Sequence, residues 1–283
     1  MMAYILGLIT AVAYAGQSLI GKQLSANFSP AGLVLVTFGS ATPILFLLQL
    51  FFPFEIQHPT FFIVLLLSLV LNIIAWSCFY KALSLAQVGL VMPITAMTPI
   101  FIIPIEYFLY NKTVSVTGVM GMALSVLGIG FIYLPHLNKK EKISLKGIGY
   151  IVITTVVWSF SATLEKIAVK TSNPITYALL IHFLLTVFFL IYFYKYSNHD
   201  GHTGFKRHLI LMILLGIVSV ILAVSQYTAI LITNVSLVIA LKRSGILLAV
   251  IGGGTFFKET HLMARIVGSI IILSGIFLLY FAI

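Results

Sequence analysis

The chain has 283 residues, of which 61% are hydrophobic and 8% charged, with a formal net charge of +10 and a mean hydropathy of +1.16. About a quarter of the residues of a soluble globular domain are charged, so this composition excludes that class and specifies an integral membrane protein. Most of the Lys and Arg fall in loops, where they read as orientation signals for a lipid bilayer, and no nucleic-acid partner is expected.

Apolar runs bounded by Pro, Gly, Asn and charged residues predict ten spans, at residues 3–21, 31–52, 60–83, 89–109, 115–134, 147–167, 175–194, 208–230, 233–256 and 262–282. Their lengths suit helices, and long alternating strand patterns are missing, so the expected fold is an all-α membrane bundle rather than a barrel. The first segment runs on as an ordinary span without a small-residue cleavage site, so no cleavable signal is expected. Cys78 is the single cysteine and sits inside a span, which leaves no disulfide framework and no cysteine metal site.

The two halves of the chain repeat each other. A shift of 144 sets Tyr14, Lys22 and Pro30 on Trp158, Lys166 and Pro174, and a shift of 147 sets Tyr80, Gly121, Gly128 and Tyr133 on Tyr227, Gly268, Gly275 and Tyr280. Such constant offsets predict an internal duplication, with repeats at 1–134 and 147–283 joined by a linker at 135–146. Five crossings per repeat is an odd number, so the second copy must enter the membrane from the opposite side. The expected architecture is therefore ten transmembrane helices arranged as two inverted five-helix repeats, with a substrate site near the midplane between them.

Within the spans, the polar residues are the candidates for chemistry. Lys242 and Arg243 sit mid-way along the ninth span, and each would cost roughly 2.5–3.5 kcal/mol at a lipid-exposed helix centre. They must face protein or water, where two long cationic side chains can converge on one anion. Their first-half counterparts are Thr95 and Ala96. Glu165 and Glu106 are candidate counter-ions for the pair or candidates for proton coupling. His182 is a candidate for proton coupling or substrate contact, with a backbone-satisfied histidine as the alternative. Tyr14, Gln17, Asn72, Trp76, Tyr80, Trp158, Gln226 and Tyr227 supply aromatic and hydrogen-bonding groups for a cavity lining, or plain packing. Gln17 is one turn from Tyr14, and Trp76 is one turn from both Asn72 and Tyr80.

Glycine and proline mark where helices approach or bend. Gly121 with Gly128, and Gly268 with Gly275, fall on single helix faces suited to close packing. Gly252, Gly253 and Gly254 either pack in the same way or loosen the end of the ninth span. Pro93, Pro99 and Pro104 predict bends in the fourth.

The duplicated plan, the Tyr14–Lys22–Pro30 and Trp158–Lys166–Pro174 patterns and the FFKET of Phe256 to Thr260 resemble the EamA-type members of the drug/metabolite transporter superfamily. Where that family carries an acid after the fourth span this chain has Lys112, whereas the counterpart Glu259 is kept. The Lys242–Arg243 pair also resembles the pair with which related plastid triose-phosphate translocators bind phosphate, although the further lysine those proteins use has no match in the fourth span here. The resemblance implies a secondary transporter in a membrane, expected to be a bacterial inner membrane.

The residues and the resemblance together predict alternating-access transport, possible as exchange, of a small anionic metabolite bearing phosphate or carboxylate. The alternative is export of amino acids or other neutral or zwitterionic solutes, with the cations tied to Glu165 or Glu106. No HExxH, GxSxG or nucleotide-binding motif is present, so neither an enzyme nor a self-contained ATP-driven pump is expected, and no cofactor is implied. The sequence does not choose between monomer and homodimer.

Charge bias sets the orientation. Lys22, Lys81, Lys139, Lys140, Lys142, Lys146, Lys195, Lys206, Arg207 and Lys258 emerge on one side of the ten spans, against Lys112, Lys166 and Lys170 on the side of the termini. The positive-inside rule puts the first group in the cytoplasm and the termini outside, whereas the resemblance suggests cytoplasmic termini. In intact cells carrying Lys140→Cys in a Cys78→Ser background, the charge rule predicts no labelling by a membrane-impermeant maleimide. Labelling as rapid as in lysed cells would reverse the orientation.

Overall fold

The structure, a computed structural model, describes residues 1–98, 100–102, 115–138, 144–196 and 205–280. Glu106, Pro99, Pro104, Lys112 and the basic run 139–142 lie outside them. Ten helices are complete among the described residues, in order: α1 (Met2–Leu24), α2 (Pro30–Gln49), α3 (Thr60–Leu85), α4 (Val88–Thr95), α5 (Val116–Asn138), α6 (Leu145–Lys170), α7 (Pro174–Tyr196), α8 (Phe205–Ile232), α9 (Val235–Phe256) and α10 (Leu262–Tyr280). Eight are long and apolar enough to cross a membrane, all but α4 and α10. The stretch from Val88 to Ile102 and the helix from Leu262 are shorter but equally apolar. The chain is a multi-pass integral membrane protein built of helices, with large apolar side chains such as Leu8, Phe62, Leu127 and Ile210 turned outward.

Helix ends follow the sequence signals. Ser29 caps α2 by accepting from the Gly32 amide, ahead of Pro30 at the first helical position, and Ser144 caps α6 through the Gly147 amide. The fourth predicted span is broken after Pro93. Helix α4 stops at Thr95, Ala96 and Met97 form a turn, and helical backbone resumes at Thr98. Proline has no amide for the carbonyl four residues before it and clashes with that turn, so Pro99 of the sequence, four residues past Thr95, accounts for a helix that stops there.

Contacts between the halves repeat at the offsets of the sequence. Thr42 and Thr186, 144 residues apart, meet through their hydroxyls at 3.1 Å, and the rings of Phe38 and His182, also 144 apart, meet edge-on at 4.8 Å between centroids. Lys22 Nζ donates to the Leu83 and Ala86 carbonyls at the end of α3, and Lys166 Nζ donates to the carbonyl of Thr233, 147 residues beyond Ala86. Both amines thus reach the unpaired carbonyls of a helix C-terminus, where cations are favoured.

The glycine faces do the close packing expected of them. Helices α5 and α10 meet in reversed order, Gly128 against Gly268 and Gly121 against Gly275, and Ser125 Oγ donates to the Ile272 carbonyl at 3.3 Å. A β-carbon at Gly128 would stand 2.8 Å from the Gly268 carbonyl oxygen and 2.9 Å from the Ile272 amide, both of them backbone atoms that cannot step aside. Gly252, Gly253 and Gly254 stay helical and are filled by Leu19, Glu259 and Leu262, so this run packs rather than loosening the end of α9. Overpacking costs about 1–3 kcal/mol. Gly128→Ala is therefore expected to lower the unfolding temperature in detergent clearly, whereas Gly130→Ala, with open space around it, should leave it unchanged or raise it slightly. Equal stability of the two variants would contradict the close α5–α10 contact.

Candidate functional site

Helix α9 is the most enclosed of the long helices, with 78% of its most apolar window buried. That enclosure is what lets it carry Lys242 and Arg243, which are 6% and 1% exposed. Both heads turn toward α1 and α6. Lys242 Nζ lies 4.9 Å from the centre of the Tyr14 ring and 5.6 Å from that of Trp158, and Arg243 Cζ lies 5.3 and 5.9 Å from the same two rings. Aromatic faces attract cations, so Tyr14 and Trp158, themselves 144 residues apart, form a shared platform for the pair.

The two cations differ in their remaining partners. Lys242 Nζ donates to Gln226 Oε1 at 2.7 Å, and Gln226 Nε2 donates in turn to Glu165 Oε2 at 2.8 Å, so an amide links ammonium to carboxylate. Ser161 Oγ donates to Glu165 Oε1 at 3.3 Å while accepting from Asn72 Nδ2 at 2.9 Å, and the Asn72 carbonyl oxygen receives the indole N–H of Trp76 at 3.1 Å. Arg243 Nη2 donates to Thr98 Oγ1 at 2.6 Å, and the Tyr14 hydroxyl lies close to the guanidinium; Nε and Nη1 are buried with no acceptor in good hydrogen-bond geometry among the described residues. A buried donor left unpaired costs about 1–3 kcal/mol, more when charged, so this guanidinium is the least satisfied group in the site.

A small cavity of about 40 Å³ opens against these groups. It brings together Asn72, Trp76, Trp158, Glu165, His182, Gln226, Tyr227, Lys242 and Arg243 of the residues anticipated from the sequence. Tyr14 stands behind the cations and donates its hydroxyl to Thr95 at 3.0 Å. Gln17 and Tyr80 are fully buried elsewhere: the Tyr80 hydroxyl meets Thr37 at 2.6 Å and its ring fills the space beside Gly21, so neither lines the cavity. His182 holds the Ala178 carbonyl through Nδ1 at 2.8 Å and faces Ser219 through Nε2 at 3.4 Å, the backbone-satisfied arrangement with one ring edge left in the lining.

Of the lining residues not anticipated, six are aliphatic and three, Phe38, Thr98 and Ser219, carry an aromatic ring or a hydroxyl. Ser219 is the counterpart of Asn72 at the offset of 147, and Phe38 that of His182 at 144, so the repeat itself carried a signal for both. Thr98 had only its place three residues beyond Thr95, and serine or threonine in a span is too common to stand out.

A second charged cluster lies past the end of α9. Lys258 and His261 have φ of 52° and 56°, the left-handed region that side chains other than glycine enter at a cost, and this turn swings Glu259 back toward the first half. Its carboxylate accepts from the amides of Val88 at 2.6 Å and Gly89 at 2.8 Å, at the N-terminus of α4, and from Arg265 Nη1 at 2.6 Å. Arg265 also reaches the Gln87 side-chain oxygen. Nothing in the sequence reading singled out Arg265. A carboxylate at a helix N-terminus meets both the free amides and the positive end of the dipole, so Glu259 fixes where α4 begins.

An aqueous-type polar pocket, carrying two cations, sunk in a bundle whose outer surface suits lipid is what a carrier of small polar solutes requires, because bare hydrocarbon offers such solutes no partner. The chain belongs to the EamA-like transporter family, which matches residues 1–134 and 145–281 and so covers both halves. It is therefore a member of a family of membrane transporters of small molecules. A solved structure titled only "Crystal structure of protein" shares the fold with a TM-score of 0.75 and 14% identity, covering 99% of this chain and 98% of that one. No curated protein matches the sequence.

Glu259 and Arg265 are 4% and 1% exposed, and removing one member of a buried pair costs about 3–5 kcal/mol. Glu259→Gln is expected to destabilise the protein by an amount of this order in denaturant or thermal unfolding in detergent. An unchanged unfolding midpoint would mean that the α4 terminus does not depend on it.

Proposed function

We propose that the protein is a secondary active transporter of a small anionic metabolite, one bearing a carboxylate or phosphate, and that Lys242 and Arg243 are the groups that bind it. The observation that carries this reading is Arg243: a buried guanidinium whose Nε and Nη1 have no acceptor in good hydrogen-bond geometry among the described residues, bordering a cavity. An anion entering that cavity supplies the missing acceptors and relieves the buried charge. Asn72, Trp76, Trp158, His182, Gln226 and Tyr227 form the surrounding wall, Tyr14 backs the cations, and Glu165 is the counter-ion reached through Gln226.

The carrier works, on this reading, as ten spans in two inverted repeats, 1–134 and 147–283, joined at 135–146, which rock about the site by alternating access. Support comes from the reversed pairing of α5 with α10 and from equivalent residues that meet each other, Thr42 with Thr186 and Phe38 with His182. Exchange follows if the empty site resists reorientation, since an uncompensated buried cation is costly and a bound anion removes the cost. A second reading, export of an amino acid or another neutral or zwitterionic solute, draws on the Lys242–Gln226–Glu165 chain, which already offsets one of the two positive charges.

In proteoliposomes, Arg243→Gln is expected to reduce saturable uptake of organic anions at least tenfold while the protein remains monodisperse in detergent. Uptake equal to that of the parent would reject the site.

A further inference from the structure

We infer that Glu165 sets the net charge of the solute, so that the cavity favours a small organic acid carrying one negative charge over a doubly charged anion. This rests on the reading of Lys242 and Arg243 as the anion site and adds a selection rule to it. Among the described residues three charged side chains border the cavity, Lys242, Arg243 and Glu165. His182 has the Ala178 carbonyl, the Ser219 hydroxyl and the Phe38 ring as its neighbours, without a carboxylate among them, and is counted as neutral. The described lining therefore holds one positive charge in excess.

The hydrogen bonds show which cation is in excess. The Gln226 amide accepts from Lys242 through its oxygen and donates to Glu165 through its nitrogen, so it is polarised from cation to anion and links them as a unit. Glu165 receives two donors, from Gln226 and Ser161, and both are neutral. Arg243 stands outside this chain with Thr98 as its hydrogen-bonded partner. A ligand with a single negative charge at Arg243 leaves the site neutral. A dianion leaves it negative and places its second charge in a small enclosure shared with Glu165. Like charges about 7 Å apart at an effective dielectric of about 20 repel enough to discriminate more than tenfold.

The wall offers a further contrast. Glu165 has lone-pair capacity beyond its two donors, so a cationic group on the ligand can be received there while the acid meets Arg243. An acidic amino acid, with two carboxylates and one ammonium, has the required net charge and uses both ends. The related oxo-diacid has the same skeleton and one more net charge. The pair forms a probe that varies charge at nearly constant shape.

The test is thermal stabilisation of the purified protein in detergent by glutamate against 2-oxoglutarate, and by benzoate against isophthalate, at matched ionic strength. The parent is expected to respond to the singly charged member of each pair with at least tenfold higher apparent affinity, and Glu165→Gln is expected to reverse the order. Preference of the parent for the dianions, or an unchanged ratio in Glu165→Gln, overturns the selection rule, and loss of all stabilisation in Arg243→Gln then shows that the anion site itself stands. If no anion stabilises the parent, both readings fall. Should Glu165→Gln not fold, the ranking measured on the parent decides alone.

Discussion

Two adjacent positive side chains cannot be left in hydrocarbon, and much of the interior follows from how this bundle accommodates them. Helix α9 is enclosed by its neighbours more completely than the other long helices, and the aromatic pair Tyr14 and Trp158 meets both cations from the two halves. Lys242 is then linked through an amide to a carboxylate, while Arg243 keeps two donors unpaired beside a cavity. Desolvation makes this arrangement expensive in the empty protein, and that cost makes it responsive to an anion.

Helix α4 is held from both ends by charge on the second half of the chain. At its start, the amides of Val88 and Gly89 donate to Glu259; just past its end, Thr98 accepts from Arg243. The break after Pro93 lies between these two attachments. An acceptor that engages Nε and Nη1 of Arg243 joins Thr98, held by Nη2, on the same side chain, so the binding site and the bent segment share one guanidinium. The strained turn at Lys258 to His261 is the local cost of delivering Glu259 to the other half.

The sequence displayed the outline of this structure because the relevant signals are periodic or energetically extreme. Lys242 and Arg243 were legible from the cost of charge in an apolar run, and the duplication from constant offsets that reappear as the contacts of Lys22 and Lys166. Helix faces were less so. Gln17 shares a span with Tyr14, and Tyr80 shares one with the lining residues Asn72 and Trp76, yet Tyr80 serves to fill the space at Gly21 and to meet Thr37, a distinction that depends on the rotation of α1 and α3. Arg265 sits at the edge of a span, where basic residues usually meet headgroups or water, so its burial against Glu259 and Gln87 had no one-dimensional signature. The role of Gln226 as the bridge between Lys242 and Glu165 depended on three helices meeting.

The most direct test of a water-accessible cationic hollow is the charge selectivity of thiol modification at its wall. With Ala162, a buried lining residue, changed to Cys in a Cys78→Ser background, a negatively charged methanethiosulfonate should react about tenfold or more faster than its positively charged counterpart, as expected of a cleft that focuses a positive field. Failure of both reagents to react with the folded protein, or faster reaction of the cation, would contradict the account.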